Sequence, residues 1–472
     1  MNDLSIKLYE HQQRALEISR ENPRFAFFWS PGTGKTITIL SIWKERPMRT
    51  LVVASKAILS TAWSRDSEMM GVPVINARHT NKRKRLELIR EPGNHVVLTN
   101  YEQFRIHEKE FKETGFDRFV FDESSKLKNR DAKVSKAAHS FAESCREVYL
   151  LSGTPAPNCP TELWSQLRTV SSTASGVSFW KWAHHFFVPI MQQKWTPKGQ
   201  KSVIAKWVEK PERTQEFNDH LRKWSWSLRK EDCLDLPEQI DIVREVELSR
   251  DERKQYDELI TELKLSVPMD EGPTANVSMN VHAEGLLMKL RQVVGGSVRM
   301  DDEPKEIGSS KIDALVETLE EFSNDQVVIW CEFRADIDRV ARVLKQIGRR
   351  PAIIDGRTSS KVGEIVDSFV QGETDTIIAH PKAAGHGTDG LQKVSSVSVY
   401  FGLSFSAEEH EQSRDRIHRS GQSKSCLYIY LIAKDTVDES LLWVVRRKKS
   451  RQSALLKELG VKDDRTRRNR SR

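Results

Sequence analysis

Short apolar runs dominate two regions of the chain. They are FAFFW, LVVAS, VVLT, FVFD and VYLLS within residues 1–165, and VVIWC, AIID, TIIA, SVSVYF and LYIYLI within residues 300–445. Runs of this length that are rich in β-branched and aromatic residues and bounded by turn-forming residues are typical of strands buried on both faces. Amphipathic segments separate the runs. Each region therefore predicts a parallel sheet covered by helices, and the predicted fold class is α/β with two such lobes.

The interval at 166–299 has a different pattern. Aromatic and basic residues are concentrated in FWKWAHHFF (Phe179–Phe187), and further tryptophans follow at Trp195, Trp207, Trp224 and Trp226. Helical periodicity then runs from Ser249 to Arg291, interrupted by a segment rich in Pro, Gly and Asp. We predict a mainly helical insert and linker between the lobes. A Trp-rich stretch is more often packing core than a base-stacking platform, and the pattern leaves both interpretations open.

Charge and composition narrow the class of protein. No apolar run approaches the roughly 20 residues that span a bilayer, and the first residues lack the apolar core of a secretory signal, so we expect a cytoplasmic protein with no membrane partner. The five cysteines have no metal-ligand spacing, which indicates reduced thiols. The net charge of +8 lies in residues 446–472, which hold twelve Lys or Arg against three Asp or Glu. This basic C-terminal tail is interpreted as a phosphate-binding segment or simply as a solvated end.

The strongest local motif follows the first predicted strand of the first region. It reads Ser30-Pro31-Gly32-Thr33-Gly34-Lys35-Thr36 and precedes an apolar helix. Glycines let the backbone curl so that several N–H groups face phosphate oxygens, and the helix N-terminus adds its positive dipole. Lys35 is predicted to reach the β- and γ-phosphates of ATP, and the Thr36 hydroxyl to bind Mg²⁺. An ordinary glycine-rich turn is the weaker alternative.

Two further segments complete a site for nucleotide hydrolysis. Asp122 and Glu123 follow the strand FVF, where Asp122 is predicted to hold Mg²⁺ and Glu123 to activate water. The second segment is Gln412–Gln422, in which Arg416 and Arg419 share a helix face. Either arginine is a candidate finger for the γ-phosphate, although a charged surface helix would have the same pattern.

Taken together, these motifs resemble those of superfamily 2 helicase-like ATPases of the Swi/Snf type, from about Leu8 to Leu456. The resemblance implies two RecA-like lobes at residues 1–165 and 300–445. It includes LYEHQ, LVVAS, TNYE, the box DESSKLKN, SGTP with Asn158, SLRK with LP, Lys311, Asp355-Gly356, GHGTDGL (385–391) and QSRDRIHRSGQ. By family pattern Gln12 reads adenine and Asp389 contacts the nucleotide, while the implied nucleic-acid contacts are Ser55, Thr99, Tyr101, Gly356 and Gly387. Ser125 stands where the family usually carries His, and Ser55 where it usually carries Pro.

The resemblance also implies what the chain acts on. We expect a minimal motor, of a bacterial cell or an infected host, that uses ATP and Mg²⁺ to walk along double-stranded DNA without sequence specificity. One alternative is a DNA or RNA helicase that separates strands. The alternative from another class is a nucleic-acid-binding module that no longer hydrolyses ATP, against which the intact phosphate loop and Asp-Glu pair argue. Neither a P-loop kinase nor a transporter ATPase would explain the second lobe.

Overall fold

The computed structural model describes residues 7–157, 159–176, 178–196, 199–266, 285, 287–300, 303–358, 361–384 and 388–458. Contacts within the chain define two compact units, each described by itself. The first unit holds the chain up to Ile190 together with Lys206–Asp235, and the second holds Met191–Ala205 and Leu236–Lys449. None of the helices in the described ranges has both the length and the apolar character needed to cross a membrane.

A seven-stranded sheet forms the centre of the first unit, in the order β3-β4-β2-β5-β6-β1-β9, and all its paired strands are parallel. The strands are β1 (Arg24–Trp29), β2 (Thr50–Ala54), β3 (Val74–Asn76), β4 (Val96–Asn100), β5 (Arg118–Phe121), β6 (Glu147–Leu151) and β9 (Ser225–Leu228). Their apolar runs are buried, as in β2 and β4, where every residue is inaccessible. Helices on both faces explain why these strands carry continuous rather than alternating apolar residues.

The helices of the first unit are mostly short. They are α1 (Glu10–Glu21), α2 (Lys35–Glu45), α3 (Lys56–Ile58), α4 (Ser64–Met69), α5 (Lys82–Arg90), α6 (Tyr101–Ile106), α7 (Glu108–Thr114), α8 (Lys133–Ala142), α9 (Leu163–Val170), α10 (Ser172–Ser175), α11 (Phe179–Phe186), α12 (Thr214–Arg222) and α13 (Lys230–Cys233). A π-helical turn at Leu59–Trp63 links α3 to α4, and 3₁₀ turns lie at Ser124–Leu127, Pro160–Glu162 and Pro211–Arg213. The strands β7 (Phe187–Thr196) and β8 (Gly199–Glu209) form a two-stranded sheet of their own.

The second unit is built on a six-stranded sheet in the order β10-β17-β16-β13-β15-β14, whose pairs are again all parallel. Its strands are β10 (Gln239–Val246), β13 (Val327–Trp330), β14 (Pro351–Ile354), β15 (Thr376–Ala379), β16 (Val397–Tyr400) and β17 (Cys426–Ala433). Separate apolar clusters cover the two faces, one including Trp330 and Tyr428 and the other Val327 and Leu431.

Helices and a small hairpin surround this second sheet. The helices are α14 (Arg250–Ser266), α15 (287–294), α16 (Ser310–Glu321), α17 (Arg334–Gln346), α18 (Val362–Val370), α19 (Pro381–Ala384), α20 (Ala407–Arg414) and α21 (Val437–Glu458), with a 3₁₀ turn at Leu391–Lys393. The antiparallel strands β11 (Ser297–Met300) and β12 (Glu303–Glu306) form the hairpin.

The predicted fold of two parallel-sheet α/β lobes is confirmed. The interval 166–299, expected to be mainly helical, also contributes strands, since β9 joins the first sheet and β10 the second. The predicted boundaries of the four segments, 1–165, 166–299, 300–445 and 446–472, stay predictions. Of the predicted basic tail, residues up to Glu458 continue α21, and residues 459–472 lie outside the described residues.

Candidate nucleotide site and its surroundings

The predicted phosphate loop follows β1, which lies between β6 and β9 in the first sheet. Phe27 of β1 pairs with Leu151 of β6, and Trp29 pairs with Leu228 of β9. The loop then turns through Gly32 and Gly34, whose φ angles of 81° and 79° lie in the left-handed region that glycine adopts without strain. Helix α2 begins directly afterwards at Lys35. This strand, turn and helix are the arrangement that aims backbone N–H groups and a helix N-terminus at an anion.

Side chains of helix α1 hold the loop from the other side. The Gln12 amide nitrogen donates to the carbonyls of Gly34 (3.3 Å) and Thr33 (3.5 Å), and His11 Nε2 lies 2.8 Å from the Thr33 carbonyl. A Cβ added at Gly34 would lie 2.2 Å from the Gln12 amide nitrogen, so this contact requires glycine. The structure therefore places Gln12, the predicted adenine reader, against the phosphate loop, and its role toward adenine stays a prediction.

The predicted phosphate-binding side chain is tethered within the loop. Lys35 Nζ donates to the carbonyls of Trp29 (2.8 Å) and Ser30 (3.2 Å). The Thr33 hydroxyl donates to Ser30 (2.8 Å), and Thr36 lies in the first turn of α2. Lys35 is close enough to Asp122 for its charge to lower the pKa of that carboxyl group. The structure thus brings the loop and the Asp-Glu box together at one edge of the first sheet.

The Asp122 carboxylate is buried and held at both oxygens. Trp63 Nε1 donates to Oδ2 (2.9 Å), and the Glu123 backbone N–H donates to Oδ1 (3.0 Å). Burial raises the pKa of Asp122 above its ordinary value, while the Trp63 bond, the Lys35 charge and the Glu123 N–H oppose that rise. Glu123 itself has φ of 51°, an uncommon conformation for a residue with a side chain, and it turns the chain sharply after β5. The pattern of the sequence gave no sign of Trp63.

A buried glutamine joins the box to the Ser152–Pro155 loop. Gln166, on α9, accepts a hydrogen bond from Ser124 Oγ (2.7 Å) and donates to the carbonyls of Pro155 (2.5 Å) and Glu162 (3.3 Å). A Cβ added at Gly153 would lie 2.9 Å from Pro31 Cδ, so the same loop packs directly on the phosphate loop. Three segments that are distant in sequence are thereby in contact. Asn158 of the predicted motif lies outside the described residues.

The three predicted nucleic-acid contacts of the first unit differ in their burial and in their hydrogen-bond partners. Ser55 caps α3 by accepting from the Ile58 N–H (3.4 Å) at the carboxyl end of β2. Tyr101 donates to the Asp122 carbonyl (3.0 Å) and stacks on Phe121. Thr99 is fully buried in β4, so its side chain is not accessible to a nucleic acid in this conformation. All three assignments stay predictions.

In the second unit the candidate arginines share one carboxylate. Arg419 forms an ion pair with Asp389, whose carboxylate also lies 4.0 Å from Arg416. Arg416 further donates from Nε to the Gln412 carbonyl (3.2 Å). Asp389 was predicted from family pattern to contact the nucleotide, and here it is the partner of both predicted fingers. Gly387 of the same motif lies outside the described residues.

Arg414 is a basic residue of this segment that the sequence reading did not single out. It is buried, and its guanidinium reaches Asp241 (2.5 Å), Tyr430 Oη (2.5 Å) and Gln239 (2.9 Å). Since Gln239 and Asp241 belong to edge strand β10, the Arg414 side chain links that strand to α20. These contacts give Arg414 a structural role.

Gly356 lines a pocket of about 740 Å³ in the second unit, together with Arg334, Lys382 and His380. The other predicted second-lobe residue, Lys311, forms a buried ion pair with Asp438 (2.7 Å). The pocket therefore combines an exposed glycine with charges of both signs, since Glu332, Asp338 and Asp355 also line it. Lys311, by contrast, has a structural partner.

Two family models match most of this chain. The family model described as SNF2-related domain matches residues 26–295, and the Helicase conserved C-terminal domain matches residues 310–421. The chain is 25% identical to Zorya protein ZorD of Escherichia coli O139:H28, covering 86% of this chain and 40% of that protein. It is 24% identical to putative protein p41 of Acyrthosiphon pisum secondary endosymbiont phage 1, covering 97% and 99%.

A mouse protein named DNA annealing helicase and endonuclease ZRANB3 is 24% identical over 89% of this chain and 38% of its own length. The chain thus spans about two fifths of ZorD and ZRANB3 and nearly all of p41. A solved structure, the Sulfolobus solfataricus SWI2/SNF2 ATPase core in complex with dsDNA, aligns over 95% of this chain and 92% of its own with 19% identity and a TM-score of 0.44. Because the SNF2-related model alone matches more than half of its residues, the chain belongs to the SNF2-related family of helicase-like ATPases.

Proposed function

We propose that this chain is a DNA-stimulated, Mg²⁺-dependent ATPase that moves along duplex DNA without separating its strands. The observation that carries the proposal is the meeting of three segments at one edge of the first sheet. The Ser152–Pro155 loop packs on the phosphate loop, Gln166 bridges it to the box at Ser124, and the Lys35 charge acts on Asp122. Such a cluster has the parts that phosphoryl transfer needs, namely hydrogen-bond donors for the phosphates, a carboxylate for the metal ion and a base for the attacking water.

The donor set fits Mg²⁺. Magnesium prefers oxygen ligands and is usually bound by one or two carboxylates together with substrate phosphates. Asp122 offers a buried carboxylate whose charged form burial disfavours, and a cation beside it would restore that form. Thr36 adds a hydroxyl at the first turn of α2. We assign Mg²⁺ to these two side chains, where it would neutralise charge on the phosphates.

The reaction proposed is hydrolysis of the β–γ bond of ATP. Lys35 exchanges its bonds to the Trp29 and Ser30 carbonyls for phosphate oxygens, and Glu123 accepts a proton from the attacking water. A bond forms between the water oxygen and the γ-phosphorus, the bond from that phosphorus to the bridging oxygen breaks, and ADP and inorganic phosphate leave. Arg416 and Arg419 are proposed to stabilise the charge that develops on the transferred group.

Support for DNA comes from the family to which the chain belongs and from the mouse relative, which is named DNA annealing helicase and endonuclease ZRANB3. Cations that contact backbone phosphates carry no sequence information, so binding should be independent of sequence and weaken with salt.

The test measures ATP hydrolysis with no nucleic acid, single-stranded DNA, duplex DNA and RNA in parallel. We expect duplex DNA to stimulate most, and Lys35→Ala and Glu123→Gln each to abolish stimulated hydrolysis while DNA binding persists. Lys44→Ala, an exchange on the same helix α2 outside the loop, is the matched control and should retain activity. Full activity of Lys35→Ala would contradict the assignment of the site.

Movement is tested separately from hydrolysis. A third strand annealed to a duplex should be displaced when ATP is present, and the rate should fall to background with Lys35→Ala. A forked duplex should remain paired under the same conditions. Displacement of one strand from the fork would instead favour the strand-separating helicase, and stimulation by RNA above duplex DNA would contradict the choice of DNA.

A further inference from the structure

Helix α11 carries two aromatic faces, one buried in the core and one that packs on Trp207 while leaving an indole exposed. Trp182 and Phe186, spaced i and i+4, are buried and contact Phe217 of α12. Trp180 and His184 form the other pair at the same spacing, and Trp180 is 51% exposed. About half of the Trp180 side chain therefore faces solvent, although its ring also contacts Phe179 and Trp207.

A surface pocket opens beside this indole. It has a volume of about 740 Å³, within the ~300–1,000 Å³ of small-ligand sites. Its aromatic wall consists of Trp164, Phe179 and Trp180. The Arg130 guanidinium lies 3.7 Å from the Phe179 ring centroid and 5.2 Å from that of Trp180, so a fixed cation is built into the wall.

The charge around the pocket is predominantly positive. Arg130, Lys136 and Arg168 line it, against the single carboxylate of Asp131 among the lining residues. Arg168 is also paired with Glu143 (2.8 Å), and Arg130 lies 3.5 Å from Asp131, while Lys136 is exposed. A ligand that matches this pocket carries a flat aromatic ring and a negative charge close to it.

We propose that this pocket binds an unpaired nucleotide of a DNA strand, with the base stacked on Trp180 and its phosphate beside Lys136 and Arg130. The assignment rests on the proposed function for DNA as the ligand, and adds a contact outside the nucleotide-hydrolysis motifs. A paired base has both faces occupied within the duplex, so an exposed indole favours the unpaired bases of single-stranded DNA. Stacking is tolerant of sequence, which agrees with a motor that reads no sequence.

The test compares binding of a fluorescent oligothymidylate with binding of a blunt duplex of equal length to the full chain. We expect Trp180→Ala to weaken oligothymidylate binding about tenfold, within the range for loss of one base stack, and to leave duplex binding within twofold. Trp180→Phe, which keeps a ring, should restore most of the affinity. Ile106→Ala, an apolar side chain of nearly equal exposure (52%) on α6, is the matched control and should change neither.

Salt dependence tests the phosphate half of the assignment. Lys136→Gln should reduce the slope of log affinity against log salt for oligothymidylate by about 0.7, the value for one phosphate contact on a single strand. Equal oligothymidylate affinity of Trp180→Ala and the unchanged chain would overturn the proposal, as would equal losses on single strand and duplex. If Trp180→Ala lost binding only to an acidic, tyrosine-containing peptide and bound DNA normally, the pocket would be assigned to a protein partner. That outcome would also overturn the proposal.

These outcomes are separable from those of the proposed function. If duplex DNA failed to stimulate hydrolysis, the motor would be wrong even if Trp180→Ala bound single strands poorly. If duplex stimulation were normal and Trp180→Ala bound every DNA normally, the pocket alone would be wrong.

Discussion

Gln166 offers the sharpest test of how the first lobe holds its site together. Its side chain is fully buried and satisfied on both sides, with Ser124 donating to its oxygen and its nitrogen donating to the Pro155 and Glu162 carbonyls. Gln166→Met keeps the length of the side chain and removes both polar groups. The Ser124 hydroxyl and the Pro155 carbonyl would then be buried without these partners.

The magnitude follows from the cost of leaving such groups unpaired, about 1–3 kcal/mol each. Gln166→Met should therefore lower the free energy of unfolding by about 2–5 kcal/mol, and Ser124→Ala by about 1–3 kcal/mol. Since both variants remove the same hydrogen bond, the double variant should be less destabilised than the sum by about 1–3 kcal/mol. Thr169→Val on the same helix loses only the bond to the Ser165 carbonyl (3.0 Å), and its effect should add to that of Ser124→Ala.

Denaturant unfolding of the four members of the cycle measures this coupling, and steady-state ATP hydrolysis measures its consequence. Displacement of the box by a fraction of an ångström should lower kcat by on the order of tenfold, since the base and the attacked phosphate must stay aligned. KM for ATP should change less than twofold, because the loop contacts of Lys35 and Gln12 do not involve Gln166. Additive free energies together with an unchanged kcat would refute the reasoning.

Three further outcomes follow from contacts of single residues. The hydrogen bond from Trp63 stabilises ionised Asp122 and lowers its pKa, and Trp63→Phe removes this bond. The pKa of Asp122 should therefore rise in the variant, and the acid limb of the pH–rate profile should move to higher pH. An acid limb that does not move would count against Asp122 as the titrating group. Gly34→Ala meets both a φ of 79° and the Gln12 amide at 2.2 Å, so ATP binding measured by calorimetry should be lost, whereas Gly71→Ala, with φ of 65° in open space, should cost only about 1–2 kcal/mol of stability and bind ATP normally. Asp438→Asn breaks the buried pair with Lys311 and should lower the free energy of unfolding by about 3–5 kcal/mol. Glu247→Gln, which breaks the exposed pair with Lys434, should leave the free energy of unfolding nearly unchanged. Equal effects of the two variants would contradict the role given to burial.

The central strands were predictable because a strand buried on both faces appears in the sequence as a continuous apolar run. FAFFW and VVLT became β1 and β4, since helices on each side of a parallel sheet exclude polar residues from such strands. The edge strand β10 was missed because QIDIVREV alternates, with Ile242 and Arg244 partly buried between exposed neighbours. A rule that searches for continuous apolar runs does not detect a strand with one exposed face.

The candidate site divides in the same way. The phosphate loop and the box have fixed local spacing, so Lys35 and Asp122 could be assigned from the chain alone. Trp63 and Gln166 support that box from 59 and 42 residues away, on segments without a motif. Neither a tryptophan after an apolar strand nor a glutamine in an amphipathic helix is informative until the fold places it beside a buried carboxylate or hydroxyl. The supporting contacts of the candidate site therefore require coordinates, whereas Lys35 and Asp122 could be proposed as reacting groups from local spacing and stay predictions.

The arginine segment contains an ion pair that the family pattern did not predict. Asp389 was expected to contact the nucleotide, yet its carboxylate is the partner of Arg419 and lies 4.0 Å from Arg416. If these guanidinium groups are to stabilise phosphate charge, they must exchange one oxyanion for another. Because a carboxylate holds the arginines beforehand, that exchange moves them between two similar partners and requires no unpaired buried cation at any stage. We propose Asp389 as the partner of these arginines in the absence of nucleotide.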